Sequence, residues 1–343
     1  MKKVIAIIAG GDSSEHSVSM KSAEGISSWL DRDKFEVYTI EISGTNWDVH
    51  LPDGTTTPIN RHDFTFQLPN KAFVRPDFAY ITIHGTPGEN GILQGYFELL
   101  KIPYSSCSLL VAALTFDKFT NNQYLRRFGV KVAESLLLRE GQDVSDEDII
   151  HKVGLPCFIK PNGAGSSFGV SRVTKAEEIQ PAIQLARTEG GDVVIEAELI
   201  GVEIANGVFR RKDGTVHVLP ITEVVTENEF FDFDAKYNGQ VQEITPARLS
   251  TETTERVKAL TRSIYTILGA DGIMRVDYII TRSVQEHGVI VDGLDKPTVD
   301  IINLLEINAV PGMTTTSFIP QQVRADGMDM TAVLTEIIES KLK

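Results

Sequence analysis

Cysteine is nearly missing: Cys107 and Cys157 are the only two in 343 residues, and neither sits in a metal-ligand spacing. That scarcity excludes a disulfide framework or a thiolate zinc site and fits a reducing cytoplasm. Long hydrophobic runs are also absent. The apolar stretch 4–9 is far too short to span a bilayer, and no small-residue cleavage site follows it. Neither a membrane anchor nor a signal peptide is expected. Basic residues are outnumbered, 33 Lys and Arg against 47 Asp and Glu, for a formal charge of −14. With no Lys/Arg-rich run either, the chain is not expected to partner nucleic acid or an anionic membrane. Any phosphate must be handled by a few placed cations.

What is present is ordinary in bulk, with 42% hydrophobic and 23% charged residues, as in globular proteins. A chain of this length exceeds one core and is expected to form two or three domains. Residues 3–9, 35–42 and 78–83 read as strands, with a helix over about 15–30 between the first two. Strand–helix alternation predicts a parallel sheet covered by helices, whose functional loops lie at the carboxyl ends of the strands. Gly10-Gly11 and His84-Gly85 fall at such ends. A helix over 90–100 follows, and another starts near Asp117. From about 132 the character changes to short strands (135–138, 157–160, 168–173, 193–199) around a helix over 176–187, an α+β pattern. Beyond 201 come further strands, a helix over 252–268 and a terminal helix over 330–341. Residues 239–246 and 283–298 read as irregular loops.

The richest stretch is Leu304-Leu305-Glu306-Ile307-Asn308-Ala309-Val310-Pro311-Gly312. On a strand, side chains i and i+2 share a face, so Glu306 and Asn308 project together. With Asp277 on a neighbouring apolar strand (274–280), they make an oxygen set suited to a hard cation such as Mg²⁺, which usually also binds substrate phosphates. Gly312 offers a backbone N–H suited to a developing oxyanion. Lys160 precedes the Gly/Ser-rich loop 161–169, whose small residues let N–H groups approach phosphate; alone, the segment fits a glycine hairpin equally well. Ser13 or Ser14 reads as a helix cap, while Glu15 could meet a substrate ammonium. His84 lies in a glycine-rich loop, where a lone histidine is more often a hydrogen-bonded loop residue than a catalyst. Asp117-Lys118 reads by itself as a solvated pair. Residues 230–237 mix aromatics with charge, as an edge strand would, or a lid bringing Lys236 and Tyr237 over a substrate.

In this order the motifs GGDSSEHSVS, HGTPGENGILQGYFELLKIPYSS, DK at 117–118, KPNGAGSSFGV, DFDAKY, RVDY and EINAVPGMTTTSFIP resemble the D-alanine–D-alanine ligases of the ATP-grasp superfamily. The resemblance runs over nearly the whole chain. It implies an α/β protein with an N-terminal parallel-sheet, Rossmann-like domain over 1–106 that binds the first D-alanine. A central α+β ATP-grasp domain over 107–200 and a C-terminal α+β catalytic domain over 201–343 would hold ATP between them. It implies ATP-dependent joining of two D-alanines through an acyl phosphate, for peptidoglycan precursors, in a cytoplasmic homodimer.

By the same resemblance Lys118 and Lys160 bind ATP phosphates, with Ser166 and Ser167 in the loop above them. Glu196 and Leu199 line the adenine pocket, Glu203 holds the ribose, and Lys236 joins the nucleotide contacts. Asp277, Glu306 and Asn308 are the implied ligands of two Mg²⁺ ions, replaceable by Mn²⁺; a monovalent cation is left open. Arg275 and the Gly312 N–H are implied to stabilise the reacting centre. Glu15 would bind the first ammonium, with His84 nearby, Ser317 would grip the second carboxylate, and Tyr237 and Ser166 would close over the site with Glu15. Tyr237 favours D-alanine over D-lactate as acceptor. A D-alanine–D-serine or D-alanine–D-lactate ligase, or an inactive nucleotide-binding homologue, are the alternatives. The chain departs from the family pattern at Asn90, Asn122, Ala197 and Ala309 and in the long loop 283–298.

Overall fold

Three sheets share out most of the strands. The computed structural model describes residues 2–163, 165, 168–226, 241–284 and 298–342. Ser166, Ser167, Lys236 and Tyr237, and most of the 283–298 loop, lie outside the described residues.

The first sheet has the order β4-β3-β2-β1-β7, from β1 (Lys3–Gly10), β2 (Phe35–Ser43), β3 (Asn46–His50), β4 (Thr56–Pro58) and β7 (Phe78–Ile81). β1 is parallel to both β2 and β7, as the strand–helix alternation predicts, with α1 (His16–Trp29) as the crossover. β3 and β4 extend it antiparallel, because the Gly44-Thr45 link after β2 is a hairpin turn with no room for a crossover. β5 (Phe66–Gln67) and β6 (Phe73–Val74) form a separate small hairpin.

α2 (Ile92–Leu100) starts two residues later than 90–100 predicts, because Gly91 takes φ +89. The Asn90 side chain accepts the Ile92 N–H there at 3.3 Å. α3 (Leu109–Phe116) is apolar all round, so it carries no helical stripe to read. It runs into α4 (Lys118–Arg126), whose cap is Asp117.

After β8 (Lys131–Val132), the second sheet has the order β11-β10-β12-β9 and is wholly antiparallel: β9 (Ser135–Leu138), β10 (Cys157–Pro161), β11 (Ser171–Val173) and β12 (Val193–Ala197). β11 is shorter than 168–173 because Gly169 has φ +69 and interrupts the extended chain. α5 (Asp146–Lys152) and α6 (Ile179–Gly190) cover this sheet.

The third sheet, order β15-β14-β13-β16-β17-β8, contains β13 (Val202–Arg210), β14 (Val216–Thr226), β15 (Val241–Ile244), β16 (Met274–Val284) and β17 (Thr298–Asn308). One face packs α3, α4 and α7 (Thr251–Ile267) into a core around Tyr265 and Tyr278. α8 (Phe318–Ala325) and α9 (Met330–Lys341) join Phe209 and Leu219 of this sheet to Ile5, Ile7 and α1 of the first, fixing the two sheets together. Among the described residues no helix is long and apolar enough to cross a membrane.

The β16–β17 register matters most. Arg275 lies opposite Asn308 and Asp277 opposite Glu306, but Tyr278 opposes Leu304, so Leu305 is an extra residue in β17. Leu304 and Ile307 pack into the core, and Leu305 and Glu306 line the cleft, which Leu304 also borders.

Candidate active site

Strand ends and helix starts supply the side chains. β1 ends at Gly10, where φ is +90 and a Cβ would lie 2.4 Å from the Ile42 carbonyl oxygen, so only glycine turns the chain there. That turn delivers Glu15, 8% exposed, to the start of α1. Ser13 does not cap the helix: its hydroxyl donates to the His84 carbonyl at 2.8 Å and accepts the Glu15 N–H at 3.3 Å.

Asp117 caps α4 by accepting the Thr120 N–H at 2.8 Å, which leaves Lys118 to turn inward. Its ammonium lies 3.8 Å from Glu306 Oε2 with the side chain 11% exposed, so this is no solvated surface pair. Asn162 fixes the helix start to the end of β10, accepting Phe119 N–H on its side chain at 2.9 Å and Lys118 N–H on its carbonyl at 3.2 Å. Lys160 on β10 pairs with Glu196 on β12 at 2.6 Å, both side chains buried.

On β16, Arg275 donates through Nε and Nη2 to the two oxygens of Asp277, each at 2.8 Å. Asn308 Nδ2 donates to Asp277 Oδ2 at 3.0 Å, and the Arg275 guanidinium lies 5.2 Å over the ring of Phe318.

Two adjoining cavities result. The first, about 420 Å³, lies between the second and third sheets and is lined by Lys118, Lys160, Glu196, Leu199, Glu203 and Asp277. The second, about 880 Å³, lies between α1, the His84 loop and the 310–318 turn, and takes in Glu15, His84, Asn308, Gly312 and Ser317. Gly165, Phe168, Arg275, Glu306 and Phe318 line both and form the shared wall. A Cβ on Gly165 would lie 2.4 Å from Glu15 Oε2, so the Gly/Ser loop reaches across to the first sheet.

Burial sets the charges. It lowers the Lys118 pKa despite the neighbouring Glu306. Burial also acts to lower that of Lys160, but Glu196 and Glu306 outweigh it and hold it above the ordinary value. Arg275 is likewise desolvated, and Asp277 keeps it firmly cationic. His84 is driven below its ordinary value by burial, against the pull of Glu15.

Among the described residues no cluster of three or more His, Cys, Asp or Glu could hold a metal. Asp277, Glu306 and the Asn308 amide supply two carboxylates and one neutral oxygen on facing strands. So few hard oxygens fit Mg²⁺ completed by phosphate oxygens and do not fit a closed zinc site.

Four contributors are not singled out by the sequence reading. Glu89 lines the second cavity, accepts the Gly85 N–H at 2.7 Å, and is pushed up to about 8 by burial and then by Glu15. A carboxylate inside a glycine-rich loop was the available signal. Phe168 and Phe318 sit in the shared wall, where nothing local separates them from core aromatics. Glu243 lines the second cavity from β15, held by the Gln321 amide. The departures also find places: Asn122 Nδ2 donates to the Leu305 carbonyl at 3.3 Å, Ala309 is buried in the core, and Ala197 N–H donates to the Glu134 carbonyl at 2.9 Å.

Two sheets closing on a cleft rich in buried lysine and carboxylate define the ATP-grasp class. Residues 4–107 match the family model for the D-ala D-ala ligase N-terminus, and 124–339 that for the C-terminus. The D-alanine–D-alanine ligase of Phocaeicola vulgatus is 58% identical over 341 residues, 99% of this chain and 100% of that one. That of Parabacteroides distasonis is 54% identical over 343 residues, 100% of this chain and 98% of that one. Among solved structures, the D-alanyl-alanine synthetase A of Vibrio cholerae superposes with a TM-score of 0.83 at 25% identity, covering 99% of this chain and 98% of that one. The VanG D-Ala:D-Ser ligase of Enterococcus faecalis also gives 0.83, at 28% identity over 99% of this chain and 100% of that one. The Bacillus anthracis D-alanine–D-alanine ligase complexed with ATP gives 0.73 at 27% identity, covering 99% of this chain and 97% of that one. The chain belongs to the D-alanine–D-alanine ligase family.

Proposed function

We infer that this chain is an ATP-dependent ligase that joins two D-alanines into D-alanyl-D-alanine for peptidoglycan precursors. The observation that carries the mechanism is the Arg275–Asp277 fork on the wall between the two cavities. In this reading ATP occupies the first cavity, its phosphates beside Lys118 and Lys160, its adenine beside Glu196 and Leu199, and its ribose beside Glu203. The first D-alanine lies in the second cavity with its ammonium at Glu15 and His84 nearby. Its carboxylate oxygen attacks the γ-phosphorus, ADP leaves, and an acyl phosphate results. The second amine attacks the acyl carbon, the C–O bond to phosphate breaks, and the dipeptide and inorganic phosphate are released. Arg275 is positioned for both steps and the Gly312 N–H for the oxyanion of the second. Ser317 would hold the second carboxylate.

Mg²⁺ held by Asp277, Glu306 and Asn308 would offset charge on the transferring phosphoryl group. The substrate-contacting roles that the resemblance implies for Ser166, Ser167, Lys236 and Tyr237 are part of this reading, as is the three-domain division at 106 and 200. A cytoplasmic homodimer completes it; the exposed Ile92 and Leu99 of α2, with Leu110 of α3, offer an apolar face for a second copy. VanG's shared fold raises D-serine as acceptor, but identity above 50% to D-alanine–D-alanine ligases favours D-alanine.

The test is product identification by mass spectrometry after incubation with ATP, Mg²⁺ and mixed D-amino acids, alongside phosphate release. Release that D-alanine does not stimulate would end this reading.

A further inference from the structure

Three hydrogen bonds link four groups, and the backbone of the turn that carries Gly312 closes them into a ring. Met313 N–H donates to Ser22 Oγ at 3.2 Å, Ser22 Oγ lies 3.4 Å from His84 Nε2, and His84 Nδ1 lies 3.0 Å from the Val310 carbonyl. A carbonyl only accepts, so Nδ1 carries the proton, and in the neutral imidazole Nε2 then presents a lone pair. The Ser22 hydroxyl, already accepting from Met313, then donates to Nε2. Every donor finds an acceptor in one direction round the ring. Burial favours the neutral imidazole that this requires. Ser22 is fully buried and His84, Val310 and Met313 nearly so, which shields the ring from competing water.

The ring grips the turn on both sides of Gly312, at 310 and at 313. It is also anchored on the first sheet's side: Ser13 Oγ donates to the His84 carbonyl at 2.8 Å. A Cβ on Gly25 would lie 2.4 Å from the Met313 carbonyl oxygen, so α1 rests directly on the turn.

We propose that Ser22 and His84 act as one positioning unit that aims the Gly312 N–H at the acyl centre, tying the first-substrate side of the molecule to the oxyanion donor. The proposal rests on the ligase reading. It makes His84 a positioning residue, and it gives a role to Ser22, which touches no reacting atom. A donor aimed in advance costs no reorganisation when charge develops, so its misalignment lowers turnover more than binding.

Ser22→Ala, His84→Ala and the double variant are compared with the unaltered chain by D-alanine-dependent phosphate release and thermal unfolding. Each single change is expected to lower kcat about tenfold or more, with KM for ATP unchanged. The double variant should lose no more than the worse single one, because the ring fails as a unit. A phosphinate dipeptide, tetrahedral at the acyl position, should weaken by the same factor as kcat/KM. Should Ser22→Ala not fold, His84→Asn, which keeps a donor towards Val310 but does not reach Ser22, takes its place and should again lower kcat. Losses that multiply in the double variant, or a loss confined to KM for D-alanine, would overturn the proposal. An unaltered chain without D-alanine-dependent release would instead overturn the ligase reading, before any variant is compared.

Discussion

Arg275 is held by Asp277 at its edge and covered by Phe318 on its face, the ring centroid 5.2 Å from the guanidinium carbon. The fork uses Nε and Nη2, so the remaining N–H groups are presented at the wall between the cavities. Arg275→Ala is expected to lower kcat by roughly 10²-fold or more with the fold intact, since in the proposed mechanism Arg275 contacts developing charge. Arg275→Lys should recover little, because an ammonium cannot reproduce the planar fork. Near-normal turnover in either variant, measured by phosphate release, would remove Arg275 from the reaction.

Phe318 supplies the other restraint. Phe318→Leu keeps an apolar wall but loses the ring quadrupole, a difference of roughly two- to thirty-fold in kcat if the stack orients the guanidinium. Phe318→Tyr keeps the ring and should retain most activity. Equal rates for the leucine and tyrosine variants would reduce Phe318 to a filler of space.

Asp277 is already engaged by Arg275 and Asn308, so the divalent ion proposed there would meet competition for it. Mg²⁺ alone is therefore expected to shift the thermal midpoint little, and Mg²⁺ with ATP much more, because phosphate oxygens complete the coordination. Glu306→Gln should raise the Mg²⁺ concentration for half-maximal rate. An unchanged Mg²⁺ titration would contradict its place among the ligands.

These residues also mark how far the sequence could be read. Glu306 and Asn308 share a face because strand side chains alternate, and Asp277 sits opposite Glu306 on the adjacent apolar strand. The parallel core of the first sheet followed from strand–helix alternation. The extra Leu305 did not, because a bulge is set by pairing between strands, and a lone β17 looks continuous. α3 carried no stripe, and α8 has Pro320 in its first turn, where proline is tolerated but reads as a break. Lys118 looked solvated from its neighbours in sequence; only the docking of α4 on Asn162 buries it. The family resemblance named the candidate residues, whereas the hydrogen bonds that hold them came from tertiary packing.

Asn122 illustrates the difference. It stands where the family pattern often has lysine, and here it is 3% exposed with its amide donating to the Leu305 carbonyl. Asn122→Ala is expected to lower stability by about 1 kcal/mol, the usual value of one such bond. It should also raise the Mg²⁺ requirement, because the bulge turns Glu306 into the cleft. A stability loss without any change in Mg²⁺ titration would confine Asn122 to packing.

Glu89 gives a pH signature. Burial first, and Glu15 second, raise its carboxyl from the ordinary 4.5 to about 8, against the pull of Lys118 and the Gly85 N–H. Between those values the folded chain binds a proton that the unfolded chain has released, so this group's contribution to stability falls as pH rises through that window. Below 4.5 both states are protonated and the term is constant. Glu89→Gln mimics the neutral carboxyl and should flatten the decline in thermal midpoint between about pH 6 and pH 8, with its largest advantage at the alkaline end. Parallel pH profiles of midpoint for the two proteins would show that Glu89 ionises as an ordinary carboxylate. Activity then separates two uses of the same proton. If the neutral acid only fills the wall of the second cavity, the glutamine variant keeps its rate across the range. If the proton moves during acyl transfer, the variant loses rate, most on the side of about pH 8 where the unaltered chain holds the form that reacts.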